Sequence, residues 1–79
     1  MDAQIQESLQ TALSELGMPA PTYIIQTMLL RDRFFVGWKF RYDGGYAVLH
    51  VGNNTLELFD EQGTLLRTVG LEDERGAAA

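Results

Sequence analysis

Between Arg33 and Tyr42 the side chains alternate without interruption. Phe34, Val36, Trp38, Phe40 and Tyr42 fall on one side of an extended chain, and Arg33, Phe35, Gly37, Lys39 and Arg41 on the other. A period of two is that of a β-strand, and no helix gathers those five large residues onto one face. The segment therefore reads as a strand with an apolar, aromatic face to bury and a largely basic face outside. The same grammar continues downstream. Asp43-Gly44-Gly45 is a hairpin signal, because glycine accepts positive φ without penalty. Tyr46 to Val51 forms the return strand, Gly52-Asn53-Asn54 turns the chain, and Thr55 to Phe59 forms another strand. Asp60 to Gly63 suits a type I turn with a glycine bulge, in which the Asp60 side chain bonds the turn backbone, and Thr64 to Val69 follows. Short strands joined by such turns describe an antiparallel meander.

Upstream the period changes. Ile5, Leu9, Ala12, Leu13 and Leu16 recur at spacings of three and four, which predicts an amphipathic helix over residues 2–16. Asp2 is the expected N-cap. Gly17 occupies the left-handed C′ position, Met18 can close the motif against Leu13, and Pro19 and Pro21 forbid continuation. Residues 22–30 are compatible with either element. Ile24, Ile25, Met28 and Leu29 would make a helical stripe, whereas Tyr23, Ile24, Ile25 and Thr27 favour a strand, which is the preferred reading.

A helix with one apolar stripe and a sheet with one apolar face each need a partner, and packing one on the other satisfies both. The expected fold is α+β: an N-terminal helix on a four- to five-stranded antiparallel meander. Gly37, Gly44, Gly45 and Gly52 would let the sheet curl towards a small barrel. Phe34, Trp38, Phe40, Tyr42, Ile5, Leu9, Leu13, Leu56 and Leu58 form the expected core. One compact domain over residues 1–70 would leave an acidic, alanine-rich, disordered tail at 71–79. At 79 residues the chain buries only about 60% of its unfolded surface, so the core is small.

The residue inventory narrows the chemistry. There is no cysteine, which excludes disulfides and thiolate metal sites. The net charge of −5 has the wrong sign for indiscriminate binding to phosphate backbones or anionic membranes. An early acid, no base before Arg31 and only short apolar runs point to a soluble, cytoplasmic protein with no membrane partner. His50 is the single histidine and shares a strand side with Tyr46 and Val48. Glu57 and Asp60 are three residues apart, which puts them on opposite faces of a strand. Neither acidic cluster matches a calcium loop, and Gly44-Gly45 lacks the lysine, serine and helix of a phosphate loop. The chain is accordingly expected to be neither an enzyme nor a carrier of a cofactor or metal.

Charge is segregated along the chain. Arg31, Arg33, Lys39 and Arg41 are four of its six basic residues and lie within eleven positions, interleaved with Phe34, Phe35, Trp38 and Tyr42. A basic, aromatic strand can serve single-stranded nucleic acid, with cations on phosphates and rings on bases. The same cations could simply pair with Glu57 and other acids on neighbouring strands.

The run Val36-Gly37-Trp38-Lys39-Phe40-Arg41-Tyr42-Asp43 resembles the first motif of the Sm-like RNA-binding family, where a glycine precedes an aromatic–aspartate pair by the same five positions. A helix followed by up to five short strands is similar to that family's layout. The likeness covers mainly residues 36–49, and the family's second, Arg-Gly or equivalent basic signature is missing around Thr64 to Gly70. The resemblance implies single-stranded RNA binding by strand 31–42, the alternative reading. The leading expectation is a small binding or assembly module. It would take a protein partner, or a second copy as a homodimer, through a sheet edge or an exposed face of Arg31, Arg33, Phe35, Lys39 and Arg41.

Overall fold

In the computed structural model, which describes residues 3–71, helix α1 (Ala3–Glu15) precedes strands β1 (Ile25–Arg31), β2 (Phe34–Tyr42), β3 (Gly45–His50), β4 (Thr55–Asp60) and β5 (Leu65–Gly70). The strands form one antiparallel sheet in sequence order. α1 buries Leu9, Ala12 and Leu13 against Phe40, Tyr42, Ala47, Leu49, Leu56 and Leu58. This is the expected α+β packing of one helix on one sheet face. The sheet stays open, with no pairing between β1 and β5, so it is not closed into a barrel. Of residues 22–30, the part from Ile25 onward lies in strand β1, as preferred, and residues 22–24 precede it outside any strand.

Local chemistry fixes the element ends. The Gly17 N–H donates to Ser14 O at 3.0 Å and the Met18 N–H to Leu13 O at 2.9 Å, with Gly17 at φ 75°. Both bonds of a Schellman motif are therefore made, around a residue that carries no Cβ to penalise the left-handed turn. The expected N-cap, Asp2, lies outside the described residues. At the β4–β5 turn Asp60 Oδ1 accepts from the Gln62 and Thr64 N–H groups, each at 2.9 Å, and Gly63 lies at φ 86°. In the β2–β3 hairpin only one glycine, Gly45, takes a positive φ, at 151°. Leu71, placed by sequence at the head of the tail, packs on the core. Its N–H donates to Asn54 O, and Asn54 Nδ2 donates to its carbonyl. Residues 72–79 of the expected tail lie outside the described residues.

The main departure is at the start of β2. Arg33 is not in the strand. It and Asp32 form a two-residue hairpin loop with φ of 71° and 52°, positive at both central positions as in a type I′ turn, although neither is glycine. Leu29 pairs with Gly37 and Leu30 with Phe35, so Val36 is an extra residue on β2. A bulge of this kind reverses the alternation beyond it. Phe35 therefore joins the side of Trp38, and the two rings meet edge to face with centroids 5.3 Å apart. Phe34 moves to the opposite side and is 74% exposed. The expected core position of Phe34 is thus wrong, and Trp38 and Ile5 are only half-buried at the core's margin. Phe40, Tyr42, Leu9, Leu13, Leu56 and Leu58 are buried as expected.

Candidate binding surface

The register assigns every strand residue to one of two faces. The inner face, under α1, carries Trp38, Phe40 and Tyr42 of β2, Ala47 and Leu49 of β3, and Leu56 and Leu58 of β4. By the same register, Met28 opposes Trp38 and Leu30 opposes Phe35, so both belong to the inner face. α1 does not cover this corner. Met28 is 51% exposed, Leu30 60% and Phe35 43%, with Val51 bordering them through its N–H bond to Val36 O. The result is a contiguous apolar corner on the β1–β2 hairpin, continuous with the core beneath α1.

The outer face has no layer over it among the described residues. Lys39 and Arg41 lie there on β2, and Arg31 lies there at the end of β1. Lys39 Nζ sits 4.5 Å from the centroid of the Tyr46 ring, which stacks on Phe59 at 4.9 Å. A cation over a ring face is attracted by the ring quadrupole, and this contact directs Lys39 towards β3. Glu57, the acid expected to neutralise the basic strand, instead bonds His50 Nε2 at 2.5 Å. Tyr46, Val48 and His50 share this face, as expected. Among the described residues, the other ion pair joins Arg67 to Glu15 and leaves Arg31, Arg33 and Arg41 without a carboxylate partner.

The five residues singled out from sequence are therefore divided. Lys39, Arg41 and Arg31 share the outer face, Arg33 is at the tip of the β1–β2 hairpin, and Phe35 is on the inner face. The β2 ring beside the cations is Phe34, opposite Arg31, and not Phe35 as the alternation suggested, and the Tyr46 and Phe59 rings lie on the same outer face. Sequence reasoning missed Met28, Leu30 and Val51. Their signal was the run Met28-Leu29-Leu30, apolar at successive positions, and such a strand needs cover on both faces.

The two sheet edges differ. On β5 the extra residue, Leu66, belongs to the edge strand itself and breaks its regular backbone. In the β1–β2 pair the extra residue belongs to β2, so β1 runs regularly for seven residues. Alternate N–H and C=O groups of β1 consequently point outward along a straight edge, with no proline and one charged side chain, Arg31, at its end.

Other features are modest. A groove of about 360 Å³ between α1 and the chain entering β1 is lined by Gln6, Gln10, Thr22, Tyr23 and Gln26. Among the described residues no three His, Asp or Glu side chains gather as a metal site would require. Within the same residues no helix is long and apolar enough to cross a membrane. No protein-family model, curated protein or solved structure matches the chain.

Proposed function

We propose that the domain is a non-catalytic protein-interaction module that binds by strand addition to β1. The observation that carries this reading is the coincidence of a regular, unpaired strand edge with the exposed apolar corner of Met28, Leu30, Phe35 and Val51. An extended segment docking there would satisfy the outward backbone groups of β1 while its alternate side chains cover the corner. Backbone bonds supply affinity in this mode, and side-chain pockets supply selectivity. Single-stranded RNA is less well served, because the chain carries a net charge of −5 and the outer-face Tyr46 ring is already engaged by Lys39 and Phe59.

Selection from a random-peptide display library on the immobilised domain tests the reading. Wild type should enrich peptides with alternating apolar positions, and Leu30→Lys, which sets a charge in the corner, should enrich none of them. Failure of the wild type to enrich any sequence over Leu30→Lys would overturn it.

A further inference from the structure

Resting on that reading, we infer that the strand added to β1 is an acidic, alternating segment of another protein, with apolar side chains turned to the inner face and carboxylates to the outer. The charge of the two faces carries this. Between Arg31 and Arg41 there are four cations and one acid, Asp32, within a chain of net charge −5. Glu57, on the outer face of β4, is already bonded to His50. Arg41 pairs across the ladder with Ile25, at the start of β1, and Arg31 stands at its end. Two guanidinium groups without carboxylate partners among the described residues thus flank the outer side of the edge, one near each end. Carboxylates can accept two parallel bonds from a guanidinium, which adds geometry to charge.

Register converts this into a pattern. A segment lying antiparallel along β1 meets Arg31 first, then Leu30, Leu29, Met28, Thr27, Gln26 and Ile25. Partners of Leu30 and Met28 point inward and should be apolar. Partners of Arg31 and Ile25 point outward, beside Arg31 and in front of Arg41, and should be acidic. The recognised segment reads acid, apolar, any, apolar, any, polar, acid.

A second copy of this chain fits less well. Two-fold antiparallel pairing of β1 about Met28 would set Arg31 of the second copy opposite Ile25 and in front of Arg41. That arrangement brings like charges together at both ends of the joint.

The test uses three synthetic peptides on the intact chain: Glu-Val-Thr-Val-Thr-Gln-Glu, and the same sequence with both glutamates replaced by glutamine or by lysine. Amide chemical shifts of residues 25–31 report binding. The glutamate peptide should bind at least tenfold more tightly than the lysine peptide, with the glutamine peptide between them. Added salt should narrow that spread. Arg31→Gln with Arg41→Gln should equalise the three, while an unchanged thermal melt shows that the fold persists. Leu30→Lys should remove binding of all three. Equal affinities for the three peptides with the wild type would overturn the acidic partner and leave strand addition standing. Failure of all three to bind would count against strand addition itself. Light scattering that shows a dimer which the glutamate peptide cannot dissociate would assign the edge to a second copy and overturn the inference. So would an octauridylate probe that binds more tightly than the glutamate peptide and is released by the arginine substitutions.

Discussion

Tyr42 brings core packing and hydrogen bonding into conflict. Its ring lies in the core, yet its hydroxyl is buried with no hydrogen-bond partner among the described residues. Burial raises the phenol above its ordinary pKa of about 10, since the anion would lose its hydration. An unsatisfied buried hydroxyl costs about 1–3 kcal/mol, so Tyr42→Phe should stabilise the domain by about 1 kcal/mol and raise the melting temperature by about 4–8 °C. The pH dependence has a definite sign. The folded state holds this proton more tightly than the unfolded state, so the associated stability is intact below about pH 10 and is lost as pH rises through the elevated folded value. Phenylalanine cannot ionise, and its advantage should therefore widen above pH 10. Thermal melts of both proteins from pH 7 to pH 11 check this, and a Tyr42→Phe melting point at or below wild type would refute it. The alternation in the sequence placed the Tyr42 ring correctly. The stranded hydroxyl was not legible, because it depends on what α1 and the neighbouring strands bring to the site. Asp32 and Arg33 were hidden differently: aspartate tolerates positive φ but arginine rarely adopts it, and without a glycine the pair gave no sign of a type I′ turn.

Among the elements, what could be read in the sequence was local. The α1 C-terminus and the Asp60 turn were legible because their bonds join residues within a few positions of one another. The bulge at Val36 was not, because it exists only relative to a partner strand, and strict alternation in the sequence conceals an added residue. One sequence feature beside the bulge did carry a constraint. A Cβ on Gly37 would sit 1.9 Å from Leu49 O, a backbone atom of the adjacent strand. Relief requires β2 and β3 to separate where β2 is already bulged. Gly37→Ala should therefore cost about 3 kcal/mol or more, at the upper end of overpacking penalties. Hydrogen exchange would show the loss concentrated in amides on both sides of the β2–β3 ladder. A Gly37→Ala domain as stable as wild type would mean that the two strands are further apart than this register allows.

For the whole molecule, one helix of 13 residues is too little cover for a five-stranded sheet. The aromatic row read from sequence implied a core extending through Phe34 and Trp38. In the structure the core ends at Phe40, Trp38 marks its border, and the corner beyond is bare. That boundary makes a quantitative distinction between two large-to-small substitutions. Phe40→Ala empties a fully buried site and should cost about 3–5 kcal/mol, enough to unfold much of so small a domain at 25 °C. Trp38 keeps solvent on one side, so Trp38→Ala should forfeit about half as much, ~2 kcal/mol. Urea melts monitored by far-UV circular dichroism measure both on one scale. Similar losses for the two variants would mean that Trp38 is covered in solution. A concentration series then identifies the cover. A Trp38→Ala penalty that shrinks on dilution of both proteins would come from a second copy seated on the corner. A large penalty independent of concentration would place the cover within the chain itself and close the corner to any partner.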